Sequence, residues 1–151
     1  AAALSLPRTG QAVTIDIGDP SDIHPRNKQD VGRRLARVAE ALAYGKRVEF
    51  SGPVYRAHSV RQSRVTVVFR QAGGGLVTHA GTDTPMCFAI AGADRRFVWA
   101  QTTIEGDKVI VWNPHVSQPV AVRYAWGDSP PHPCLYNRAG LPAAPFRTDS
   151  W

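Results

Sequence analysis

The chain has 151 residues, 43% apolar and 20% charged, which suits one sizeable buried core with or without an appendage. Its net charge is +6, but the basic residues are scattered apart from Arg33, Arg34 and Arg37, and no basic motif is interleaved with aromatics. The charge therefore reads as a solvated surface and excludes an RNA-binding sheet of the usual kind, while no apolar run approaches the roughly 18 residues of a membrane span.

Residues 12–17 alternate apolar and polar and predict a strand. From Pro25 to about Tyr44 the spacing of Val31, Leu35, Val38 and Leu42 predicts one amphipathic helix of about 20 residues. Pro25 suits the first helical turn, where its missing N–H is no loss. Gly45, followed by Lys46 and Arg47, supplies the stop.

Beyond Arg47 the period changes to two. Stretches 48–50, 54–60, 65–69, 76–78, 88–90, 97–104, 109–112 and 120–126 predict strands, separated by Gly, Pro, Asn and Asp. Gly106 predicts a tight hairpin between Ile104 and Val109. From Pro130 on, five prolines predict an ordered coil wrapping the strands, pinned by Leu135, Tyr136, Leu141, Phe146 and Trp151. The fold class expected is mostly β: an antiparallel, jelly-roll-like β-sandwich with one N-terminal amphipathic α-helix.

The chemistry concentrates in Asp16-Ile17-Gly18-Asp19-Pro20-Ser21-Asp22-Ile23-His24-Pro25. A His on a turn beside a carboxylate can serve as the general base that activates a serine hydroxyl. His24 is the candidate base, with Asp22 or Asp19 to orient its ring and Asp22 preferred. The competing reading is a His near a helix N-terminus that turns over nothing.

Other motifs read as structure. Gly127-Asp128-Ser129 has the order of a serine nucleophile signature, but Pro130 and Pro131 forbid the helix that signature needs, so it predicts a strand-ending turn. Gly73-Gly74-Gly75 lacks the Lys and Ser/Thr of a phosphate loop and predicts a turn. His58, His79, His115 and His132 show no metal spacing, and His115 and His132 read as surface loop residues. Neither a metal nor an organic cofactor is implied. Cys87 and Cys134 are two buried thiols or a disulfide, with thiols preferred. Trp99, Trp112, Trp126 and Tyr124 are core residues or a sugar-stacking platform. Asp94, Glu105, Asp107 and Asp128 lie at turns, and a suitably spaced pair of them could hydrolyse a glycosidic bond.

The run from Asp16 to Gln29 resembles the Asp/His block of the SGNH-type carbohydrate O-acetylesterases, specifically the sialate O-acetylesterase family. Val13-Thr14-Ile15-Asp16-Ile17-Gly18-Asp19, Tyr44-Gly45-Lys46, Ser51-Gly52-Pro53-Val54-Tyr55 and Gly73-Gly74-Gly75-Leu76-Val77 are similar to family segments. So are Phe88-Ala89-Ile90-Ala91-Gly92-Ala93-Asp94, Pro119-Val120-Ala121-Val122-Arg123-Tyr124-Ala125-Trp126, Leu135-Tyr136-Asn137, Gly140-Leu141-Pro142 and Pro145-Phe146-Arg147-Thr148-Asp149. The resemblance implies a C-terminal region of such an enzyme, acting on an acetylated sugar or glycan. It implies that residues 1–47 are the last strand and helix, a remnant, of an α/β SGNH catalytic domain, and that 48–151 form an attached β-domain. It implies His24 as base and Asp22 as its orienter. The family's nucleophilic serine lies far upstream of this block, so the chain is expected to lack it. One departure is that Asp22 stands two residues before the His, where the usual hydrolase block has three. Without parallel partners, the first strand and the helix stripe are expected to dock on the sandwich or to pair with a second copy, making a homo-oligomer. A carbohydrate-binding module without catalysis, and a short glycoside hydrolase, are the alternatives.

Overall fold

The computed structural model describes residues 2–78, 84–130 and 134–151. A short 3-10 turn (Ala2–Ser5) leads into an irregular segment and then the helix α1 (Lys28–Leu42). The strands are β1 (Val54–Arg61), β2 (Arg64–Arg70), β3 (Leu76–Thr78), β4 (Phe88–Ala91) and β5 (Phe97–Trp99), then β6 (Gln101–Glu105), β7 (Lys108–Trp112), β8 (Ala121–Tyr124), β9 (Leu135–Asn137) and β10 (Phe146–Arg147). All pairings are antiparallel. They form one sheet in the order β1-β2-β7-β6, a second in the order β10-β8-β4-β5, and the pair β3-β9.

The predicted alternation explains the core. Val65, Val67 and Phe69 of β2 and Val109 and Val111 of β7 meet Phe88 and Ile90 of β4 and Val122 and Tyr124 of β8 in one buried cluster. One face of each four-stranded sheet is thus apolar, as period-two patterning requires. Gly106 takes φ +66° in the β6–β7 hairpin, the left-handed conformation for which a glycine is suited.

Four expectations are corrected. Residues 12–17 form no strand: no ladder receives their backbone, and the Val13 carbonyl accepts from Arg34 Nη1 at 2.6 Å. Residues 48–50 form none either, and the Glu49 carbonyl accepts from Arg37 at 3.3 Å. Stretch 97–104 is two strands in different sheets, because the chain crosses over at Ala100, whose amide bonds to the Phe88 carbonyl at 2.9 Å. The proline-rich tail is not all coil: it supplies β9 between Pro133 and Pro142, which pairs with β3, and β10 after Pro145, which pairs with β8.

The helix is shorter than its pattern. Asn27 caps it, its side chain accepting from the Asp30 amide at 3.1 Å, so Pro25 precedes the cap. Gly45 at φ +66° and the Lys46 amide on the Glu40 carbonyl end it as expected. Its stripe is only partly covered: Leu35 is 51% exposed, and the buried residue of α1 is Arg34, which the pattern assigns to the surface. The segment around Gly10 lies across Val38 and Leu42, where a β-carbon at Gly10 would sit 2.4 Å from Val38 Cγ1.

Candidate functional site

The loop between Asp16 and α1 is tied down at its base. Asp16 Oδ1 accepts from Arg34 Nη1 at 2.7 Å, and Oδ2 accepts from Arg34 Nη2 at 2.6 Å. The Tyr136 hydroxyl of β9 donates to Oδ2 at 3.1 Å. The two charged side chains are 5% and 10% exposed. Burial opposes ionisation of Asp16, but the Arg34 hydrogen bonds and charge outweigh it and hold the carboxyl below its ordinary value. Burial, and then the Asp16 charge, push the Tyr136 phenol up, so it stays a donor.

Beyond this anchor the loop is exposed, Ile23 to 90%. Asp19 and Asp22 pair as an isolated bridge, closed by the Asp22 amide on the Asp19 carbonyl at 3.3 Å. Asp19 Oδ1 accepts from the Ser21 hydroxyl at 2.7 Å and the Ser21 amide at 2.9 Å, bonds that hold its carboxyl below the ordinary value. Asp22 Oδ1 accepts from the backbone amide of His24 at 2.8 Å. Both carboxylates therefore shape the loop, and the His24 ring makes no hydrogen bond or ion pair within the described residues. Asp22 is the nearer of the two to His24 by hydrogen bonding, but through the main chain. Catalytic hydrogen bonds often tighten only with substrate bound.

Asp19, with Gly18 and Pro20, faces Asp128, Ser129 and Pro130 across a small cavity of about 170 Å³. Gly127-Asp128-Ser129 follows β8 as a bend, and none of the described residues after it is helical. The two segments are far apart in sequence, so no local pattern could have brought them together.

The aromatics divide. Tyr124 is fully buried, stacked among Phe88 and Phe146, and is core. Trp99 and Trp126 are 66% and 52% exposed and line one groove of about 660 Å³, with Phe97 and Arg123. Trp99 also borders a second groove of about 720 Å³, which Trp112 and Met86 line. No carboxylate lines either groove among the described residues. Asp94, Glu105 and Asp107 are exposed at their own turns. The Asp94 carboxylate accepts from the Arg96 amide at 3.2 Å.

His58 Nδ1 lies 2.6 Å from the Tyr55 hydroxyl, and His115 sits at an exposed turn held by Asn113. His79 and His132 lie outside the described residues. Among the described residues no three His, Cys, Asp or Glu side chains form a metal-binding group. Cys87 and Cys134 stand as two buried thiols with their Sγ atoms 3.5 Å apart. No helix among the described residues is long and apolar enough to cross a membrane.

Sequence reasoning missed two sets of positions. Asp16 and Arg34 are one, and a polar position inside the apolar alternation was their only signal. The other is Asp149, whose side chain is buried between Arg123 and Arg147. Arg123 reaches it through two bonds at 2.9 and 2.8 Å. It also holds the Asp149 carboxyl below its ordinary value, chiefly by hydrogen bonding.

No family model matches the chain. It is 30% identical to a sialate O-acetylesterase of Mus musculus over 159 residues, covering 93% of this chain and 28% of that protein. It is 29% identical to the sialate O-acetylesterase of Pongo abelii over 156 residues, again covering 93% of the chain and 29% of the relative. Among solved structures it matches a novel carbohydrate acetylesterase from Xanthomonas citri at a TM-score of 0.93 and 49% identity, over 98% of this chain and 34% of that one. The chain thus spans less than a third of the length of these curated relatives. By these matches and its mostly-β architecture, it belongs to a sialate O-acetylesterase-like family.

Proposed function

We propose that this chain is the C-terminal portion of a carbohydrate O-acetylesterase and supplies the base of its active site. The observation that carries this is the loop of Asp19, Asp22 and His24, fixed at its root by Asp16, Arg34 and Tyr136, in a chain that matches a carbohydrate acetylesterase structure over nearly its whole length. On this reading residues 1–47 belong with an SGNH-type catalytic domain. Residues 48–151 form a β-domain whose two four-stranded sheets are the layers of a sandwich.

In the reaction His24 takes the proton of a serine hydroxyl as its oxygen bonds to the acetyl carbon. The sugar oxygen leaves with that proton, and water then releases acetate through the same base. The serine is supplied from outside this block. Asp22 is the residue that orients the ring, turning from the main-chain amide toward the imidazole when substrate is bound. The substrate is an acetylated carbohydrate, and no metal or organic cofactor takes part. Self-association through residues 12–17 and α1 belongs to the same reading, and a monomeric mass in solution would remove it.

Hydrolysis of 4-nitrophenyl acetate and of an O-acetylated oligosaccharide, by the whole serine-bearing esterase of which this chain is proposed to be a portion and by its His24→Ala variant, tests the proposal. Turnover lost in a variant that keeps the native thermal transition is the result expected. Turnover indifferent to His24, or no turnover from either protein, would overturn it.

A further inference from the structure

We propose that the groove between Trp99 and Trp126 is a glycan-binding subsite whose two indoles stack on sugar rings. The inference rests on the carbohydrate part of the function proposed above and not on the chemistry of His24.

Two large apolar side chains stand more than half exposed on the walls of one groove, where burial inside the protein would have been favourable. The main chain of Trp99 and the ring of Trp126 are each held. Trp99 ends β5 at the crossover between the sheets, and its carbonyl accepts from Asn113 Nδ2 at 2.9 Å. The Arg147 guanidinium lies 5.4 Å from the centre of the Trp126 ring, and buried Asp149 fixes that guanidinium. A rigid aromatic surface loses little entropy when a ligand docks on it.

The floor is built at a cost. Cys87 and Ala125 both adopt left-handed backbone conformations, at φ 70° and 48°, and the Ala125 amide bonds to the Cys87 carbonyl at 2.8 Å. Non-glycine residues in that region carry strain, which tends to gather at functional sites.

The chemistry of the walls selects the occupant. Among the described residues the one charged side chain in the lining is Arg123, which shares Asp149 with Arg147 and stacks on Phe97 at 3.9 Å. The rest of the described lining is mostly apolar, and Ser129 is among it. A pyranose ring matches this, with C–H bonds on its face for an indole and hydroxyls at its edge for polar groups. The groove also leads to the Asp/His loop. Ser129 and Pro130 wall both this groove and the small cavity faced by Gly18, Asp19 and Pro20. A glycan seated on the tryptophans therefore extends toward the loop that carries His24.

Calorimetric titration of the protein with cellohexaose, chitohexaose and sialyllactose tests the subsite, with Trp99→Ala, Trp99→Phe, Trp126→Ala and His24→Ala in parallel. The expected result is saturable binding of at least one glycan, weakened at least about tenfold by either alanine variant. Trp99→Phe and His24→Ala should retain it. Thermal unfolding guards against misfolding of the variants. Binding intact in His24→Ala separates this proposal from the esterase reading: turnover can fail while the subsite stands. No saturable binding, or binding indifferent to both alanine variants, would overturn the subsite. So would alanine variants that abolish a dimer of the protein while no glycan binds, because the groove would then be a self-association surface.

Discussion

Arg34 of α1 and Asp16 of the preceding segment form a two-point ion pair across 18 residues of sequence, at 2.7 and 2.6 Å. With Tyr136 of β9 on the same carboxylate, this contact joins the helix, the root of the Asp/His loop and the β-sheet region at one point. The helix itself contributes no residue to the main apolar cluster. Its attachment therefore leans on this polar contact and on the close approach at Gly10.

Asp16→Asn should destabilise the protein by about 3 kcal/mol, because it leaves the Arg34 guanidinium buried and uncompensated. Tyr136→Phe should cost about 1 kcal/mol, the loss of one hydrogen bond to a carboxylate that keeps two others. Urea denaturation of the three proteins checks the order. A Tyr136→Phe effect equal to that of Asp16→Asn would mean that the ion pair contributes little.

Acid should act through the same residue. The folded-state pKa of Asp16 lies below its unfolded value, so the native state binds fewer protons than the unfolded chain in the acid range. Its stabilisation is complete above the unfolded value of about 3.9 and is lost as pH falls through the lower folded value. Asp149 shares this sign. Denaturation midpoints measured from pH 7 to pH 2 should fall most steeply below about pH 4. The slope should be shallower in Asp16→Asn.

Two glycines should respond with opposite signs. A β-carbon at Gly52 would lie 1.9 Å from the Pro142 carbonyl oxygen, and that neighbour is backbone. Gly52→Ala should cost at least about 2 kcal/mol, since the 141–142 segment must shift. Gly32, within α1, has open space around its missing β-carbon. Gly32→Ala should stabilise by about 0.5–1 kcal/mol through helix propensity. Thermal melts of the pair read both outcomes.

The two loop carboxylates are separable by activity. Asp22→Asn keeps an oxygen for the His24 amide while removing the charge, so the loop should hold and ester turnover should drop about a hundredfold or more. Asp19→Asn should reduce turnover less, since Asp19 is engaged with Ser21. Initial rates across pH 5–9 compare them, and the reverse order would move the orienting role to Asp19.

The Gly52 contact also lies where several of the scattered family-like runs meet. Ser51 and Gln71 carbonyls accept from Asn137 Nδ2 at 3.0 and 3.4 Å, and Asn137 Oδ1 accepts from the Leu141 amide at 3.0 Å. Gly73 packs against the same fully buried Asn137, where a β-carbon would lie 3.1 Å from its Nδ2. Segments far apart in sequence thus meet around one side chain.

By itself the sequence determined what depends on near neighbours along the chain: six of the ten strands near their observed bounds, the helix and its glycine stop, the Gly106 turn and the strand-ending role of Gly127-Asp128-Ser129. Period, capping and proline sterics act over a few residues, so they are legible in order. Only the tertiary structure decided that residues 12–17 are no strand, that Arg34 is buried, that the chain changes sheets at Ala100, and that the tail supplies β9 and β10. Each of these turns on which distant group satisfies a backbone or a charge, and local pattern carries no record of that partner. The same holds for Trp99 and Trp126: their alternation is that of core residues, and only the crossover at Ala100 and the bend after β8 turn them outward into one groove.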